Sequence, residues 1–92
     1  MTGITIEDLK DKLANGHEAE FSYLNCEYSI ESEETDGLHI VKIWNCSQKE
    51  PVCLAEKAIK SLDDFDDLFA TPCFEGKSFC EIESEVTVTI IF

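Results

Sequence analysis

The residues whose type and spacing could do chemistry are five cysteines in a chain of 92 residues. Cys46 and Cys53 bracket the six residues SQKEPV, and Cys73 and Cys80 bracket the six residues FEGKSF. Two thiolate pairs from two loops are what a tetrahedral structural zinc site needs, because four sulfurs close the shell with no open position. The spacing is wider than the usual zinc knuckle. This pattern predicts one structural Zn2+ on Cys46, Cys53, Cys73 and Cys80. The competing reading is that the thiols simply pack, since free cysteine is among the most buried residue types. Disulfides fit least, with an odd cysteine and no secretion signal. Cys26 reads as a free surface thiol at a hairpin turn. His17 and His39 read as solvated side chains and are the first substitutes should one thiolate be missing from the shell.

Other chemistry finds little support. Thiol catalysis needs a cysteine with a histidine and an orienting Asn or Asp, and no spacing here singles out a nucleophile. Cys-x-x-Cys, Gly-x-Ser-x-Gly and phosphate-loop patterns are absent. The expectation is a protein that is not an enzyme.

Charge is the second strong signal. Twenty Asp and Glu stand against seven Lys and no Arg, for a formal net charge of −13. Phosphate contacts need Lys or Arg, so direct binding to nucleic acid is close to excluded, whereas a basic protein surface is a natural partner. The acids form three clusters: Glu31, Glu33, Glu34 and Asp36; Asp63, Asp64, Asp66 and Asp67; and Glu81, Glu83 and Glu85. A charge run is usually a solvated face, but the small number of lysines leaves these carboxylates without internal partners and favours a partner-binding surface. The start MTGITIEDLKDKL has neither the basic region nor the apolar run of a signal peptide, and no stretch approaches membrane-spanning length. A cytosolic protein with reduced thiols is expected.

The elements that must position these residues follow from periodicity. Thr5 caps a helix over about residues 6–14, with Ile6, Leu9 and Leu13 as its stripe and Asn15-Gly16 as its stop. EAEFSYL and EYSIES alternate as the strands of a hairpin turning at Leu24-Asn25-Cys26. A polar loop over Glu33–Gly37 leads to a third strand, LHIVKIW, with Leu38, Ile40 and either Val41 or Ile43 facing inward. Residues 46–53 read as a loop, and 54–60 are ambiguous between strand and helix. Ser61–Asp64 opens a second helix with Leu62, Phe65, Leu68 and Phe69 on one side, ended by Thr71-Pro72. Ser78–Glu81 is a further capping box, for a helical turn reaching about Ser84. EVTVTIIF closes as a strand with Val86, Val88, Ile90 and Phe92 on one face. The fold class is α+β: one domain over residues 1–92, with a three- to four-stranded, mainly antiparallel sheet and two or three short helices.

With its small size, strong acidity and lack of an enzyme motif, and with EFSYLNCEYSI followed by a GKSFCEIESEV ending, the chain resembles the small type II-A anti-CRISPR proteins of streptococcal and other Firmicutes prophages. The likeness covers most of the chain and is one of size, charge and segment order. It implies a phage-encoded, stoichiometric inhibitor acting in the host bacterial cytoplasm. Such an inhibitor binds the Cas9 nuclease with its guide RNA and stops it loading or cutting target DNA. Cas9 holds its heteroduplex in a positively charged channel, which an acidic domain can contest. Two alternatives are an immunity or antitoxin protein that neutralises a basic toxin, and a zinc-stabilised structural adaptor.

Overall fold

The computed structural model describes residues 1–92. Helix α1 spans Ile6–Ala14, where Thr5 Oγ1 accepts the Asp8 N–H at 3.2 Å and satisfies one of the unpaired N–H groups of the first turn. Its apolar stripe buries Leu9 and Leu13, and Gly16, at φ 84°, turns the chain out of the helix.

Strands β1 (Ala19–Tyr23), β2 (Cys26–Thr35), β3 (Leu38–Asn45) and β4 (Val52–Ala58) follow in sequence, and β5 (Thr87–Ile91) closes the chain. They form one five-stranded antiparallel sheet in the order β4-β3-β2-β1-β5. Both tight hairpins turn through two residues with positive φ: Leu24 and Asn25 at 50° and 62°, Asp36 and Gly37 at 52° and 78°. That geometry matches the right-handed twist of the flanking strands. The Asp-Gly pair accounts for one departure from the sequence reading. Glu33–Thr35 are ladder residues paired with Ile40, His39 and Leu38, not a polar loop.

Helix α2 (Asp63–Phe69) and the short helix α3 (Phe79–Ile82), which runs into a 3-10 turn over Glu83–Glu85, pack with α1 on a single face of the sheet. There seventeen buried side chains make one core, centred on aromatic rings. Phe21 stacks on Tyr28 at 5.2 Å between centroids and meets Phe79 edge-on at 5.5 Å, while Phe69 lies 4.8 Å from Phe79. At α3 the capping box is complete: Ser78 Oγ accepts the Glu81 N–H, and the Glu81 carboxylate accepts the Ser78 N–H. No helix is long and apolar enough to cross a membrane.

Three further expectations are corrected. Leu62 sits just before α2 and is exposed, because the helix starts one residue later and turns Phe65, Leu68 and Phe69 inward. In β3, Val41 and Ile43 are both buried, whereas Leu38 lies beyond the covering helices and is exposed. In β5, Val88 pairs with Phe21 but Ile90 pairs with Glu20, so an extra residue interrupts the alternation. This bulge brings Val88 and Ile91 against the core and leaves Ile90 and Phe92 exposed.

The chain start lies along the free side of β5. Thr2 N–H donates to the Val86 carbonyl and Val88 N–H donates to the Thr2 carbonyl, both at 2.9 Å. Gly3 makes this approach possible: its φ is 99°, and a Cβ there would stand 2.6 Å from the Val88 carbonyl oxygen. Gly3→Ala is therefore expected to lose about 2 kcal/mol in urea denaturation, from combined backbone strain and overpacking. Gly76→Ala meets only the cost of its positive φ, since nothing stands within 4 Å of a Cβ there, and should lose about 1 kcal/mol. Equal losses for the two would mean that the segment before α1 does not hold the β5 edge.

Candidate partner-binding face

With all three helices on one side, the other side of the sheet has no covering layer. Alternation along β2 and β3 sends Ser29, Glu31 and Glu33 to that open face, paired across the ladder with Trp44, Lys42 and Ile40. Glu56 of β4 pairs with Lys42 and joins them. The β3–β4 loop folds back onto the strands. Cys46 N–H donates to the Glu27 carbonyl at 2.8 Å, and Glu27 N–H donates to Ser47 Oγ at 2.7 Å. Ser29, Glu31, Trp44, Cys46 and Pro51 line the resulting shallow cleft of about 350 Å³.

Lys42 is the cation of this face. Its Nζ lies 2.8 Å from Glu33 Oε1, 4.0 Å from Glu56 Oε2 and 5.9 Å from the centre of the Trp44 ring. Exposed pairs of this kind contribute little to stability, and what they do here is hold Lys42 along the indole. The Trp44 N–H is shut away from solvent and meets no acceptor in hydrogen-bond geometry. The Glu31 carboxyl is pushed up, first by burial and then by the charges of Glu18 and Glu33, while Lys42 and the Trp44 N–H pull it back. An incoming cation would relieve that repulsion and favour the ionised form.

The three acidic clusters divide between local tasks and free charge. Asp64 accepts from the N–H groups of Lys60 and Ser61 at 2.7 and 3.2 Å, which lowers its pKa, and Glu81 completes the α3 cap. Asp66 pairs with Lys10 at 2.7 Å, Asp67 with Lys57 at 3.7 Å, and Glu83 with the Met1 amino group at 3.6 Å. Glu31, Glu34, Asp36, Asp63 and Glu85 make no ion pair. Across the chain, only five of the twenty carboxylates take part in one. The clusters do not converge. Glu31 and Glu33 lie on the open face, Asp36 at the β2–β3 turn, and Asp63–Asp67 on α2 at the helical side. The sequence reading passed over Trp44, although the alternation of Ile40, Lys42 and Trp44 against Val41 and Ile43 was there to place it.

All five cysteines are free thiols. Cys46 Sγ lies 3.5 Å from Ser29 Oγ on the open face, Cys53 is exposed near the start of β4, Cys73 packs against the core, and Cys80 is exposed on α3. No three His, Cys, Asp or Glu side chains stand together so as to hold a metal ion. A zinc shell on Cys46, Cys53, Cys73 and Cys80 would need the two loops to close on each other from this arrangement. Burial pushes the Cys73 thiol up, and burial with the Glu56 charge does the same for Cys53, so neither is primed as a thiolate. The histidines are also tied into the fold. His17 Nδ1 lies 2.6 Å from the Phe92 carbonyl oxygen, and His39 shares the inward side of β3 with Val41 and Ile43, not the outward one.

No family model, curated protein or solved structure matches the chain.

The cysteines make a differential prediction. Losses on substitution by Ser should follow burial: about 1 kcal/mol for Cys73 and within about 0.5 kcal/mol for Cys53 and Cys80, read by thermal melting. Large, equal losses at all four positions would instead signal a shared metal shell. Mass spectrometry of untagged protein would then find one zinc per chain.

Proposed function

We propose that this protein is a stoichiometric binding module for a basic protein surface, and that the surface belongs to a Cas9-type nuclease whose loading or cleavage of target DNA it blocks. The observation that carries the reading is the large excess of carboxylates without ion pairs on a domain that leaves one sheet face without a helical layer. Trp44 is the side chain on that face suited to anchor a partner, since tryptophan is enriched among residues that dominate binding energy. The ring already lies beside one cation, Lys42, and a guanidinium or ammonium from a partner could take a similar place. The Cas9 identity comes from the resemblance in size, charge and segment order. The acidic, open-faced geometry supports a basic partner of any such kind.

Purified protein is expected to stop Cas9–guide cleavage of duplex DNA once it reaches about one copy per nuclease, and to lose potency steeply from about 50 to about 500 mM salt, as screening predicts. Unimpaired cleavage at stoichiometric excess sinks the nuclease assignment. The chain has a single tryptophan, so its emission should shift when the partner binds. Trp44→Ala should weaken binding by roughly 2 kcal/mol, about thirtyfold. A partner that binds with unchanged emission does not dock on this face.

A further inference from the structure

A second cleft, of about 360 Å³, lies at the C-terminal end of α1 against β2 and β3. Ala14 is the one hydrophobic residue in its lining, and none of the seven lysines takes part in it. The donors there are already engaged. Asn15 Nδ2 donates to the Asp11 carbonyl and Ser32 Oγ to the Leu13 carbonyl, each at 2.8 Å. The N–H groups of Asn15, Gly16 and His17 bond back into the last turn of α1.

What remains is acceptors. The carbonyls of Ala14, Asn15 and Gly16 receive no backbone hydrogen bond, and Asn15 Oδ1 is unengaged. Glu34, across the ladder from His39, makes no ion pair. His39 also lines this wall, with its Nε2 closed off from solvent and out of a ligand's reach. The helix dipole adds partial negative charge at this end. An anion finds nothing to bind here, whereas a cation with several donors finds acceptors on more than one wall.

We propose that this cleft receives the guanidinium of a single arginine projecting from the basic partner. The proposal rests on the reading of the protein as a binder of basic surfaces and narrows it to one side chain. A guanidinium is planar, permanently charged and weakly hydrated, and it presents five N–H donors in a fixed fork. That suits a carboxylate set beside helix-end carbonyls better than a compact, strongly hydrated ammonium does.

The test is an NMR titration of the full chain with N-acetyl-arginine amide, and separately with the lysine and the uncharged citrulline analogues. The arginine probe should shift the His39 ring and Gly16 amide signals saturably. The His17 ring, engaged with Phe92, should stay in place and the citrulline probe should be silent. Glu34→Gln should weaken arginine binding roughly tenfold through loss of the charged acceptor. Glu85→Gln, which removes the same charge from an exposed site elsewhere, should change it less than about twofold. No saturable shift, equal binding of citrulline or lysine, or an equal effect of the two substitutions overturns the proposal. Because the titration contains no nuclease, the two readings fail separately. Silence here with inhibition intact removes the cleft assignment alone, and saturable binding here without inhibition removes the nuclease.

Discussion

Phe21 lies in the middle strand of the trio β2-β1-β5, and the rings of Tyr28, Phe74 and Phe79 close around it within 5.2 to 6.0 Å. Through Phe79 the contact reaches Phe69 of α2, so this one cluster joins the first hairpin, the second helix and the segment leading into β5. Edge-to-face and offset aromatic contacts add to the burial that each ring supplies. Truncating one such ring costs about 3–5 kcal/mol, against a total stability of about 5–15 kcal/mol for a domain of this kind. The positions of α2 and α3 therefore depend on rings gathered on one side of the sheet, where α1 adds Leu9 and Leu13. Once they are gathered there, the other side has no comparable apolar layer with which to recruit a cover.

The same one-sidedness explains how the chain tolerates its charge. Carboxylates are excluded from the core, and the only buried polar residues of the chain are Ser29, on the opposite face, and Ser78. At helix starts the acids are useful, because Asp64 and Glu81 accept N–H groups that would otherwise lack partners. Elsewhere they repel one another across exposed strands and turns, and the five ion pairs are too few and too exposed to offset that. A basic partner would relieve the repulsion at many sites together, which is why the excess acts more on association than on folding.

How far the sequence foretold this structure differs by element. Caps were legible at Thr5 and Ser78, where a hydroxyl three residues before an acid takes the local hydrogen bond, whereas at Ser61 the same spacing gives only the Asp64 carboxylate accepting the Ser61 N–H. The inward-facing Leu9, Leu13, Phe65, Leu68 and Phe69 followed from helical spacing in the same way. Residues 54–60 were ambiguous and 46–53 read as a loop because VCLAEKA alternates weakly, and Val52–Ala58 becomes a strand, taking in Val52 and Cys53, only by pairing with β3. The bulge opposite Glu20 was invisible, because ladder register is decided between strands distant in sequence. The arrangement of the cysteines was illegible for a related reason. Regular spacing in two loops says nothing of where the loops lie, and here Cys46 stands beside Ser29 on the open face while Cys80 is exposed on α3.

Sheet register also decides which of the acids can act together. Shifting β3 by one residue against β2 would exchange Trp44 and Lys42 for Val41 and Ile43, putting the indole in the core and aliphatic side chains on the open face. The buried pair Ile30 and Ile43, aligned across the ladder, opposes such a slip, and the two-residue turn at Asp36-Gly37 fixes its length. Apolar packing on the helical side thus sets, residue by residue, the order in which Ser29, Trp44, Glu31 and Lys42 appear on the other. The open face is ordered by packing on the opposite side of the sheet, which leaves the half-buried Glu31 carboxyl, raised by burial and by neighbouring carboxylates, without an ion pair in the free protein.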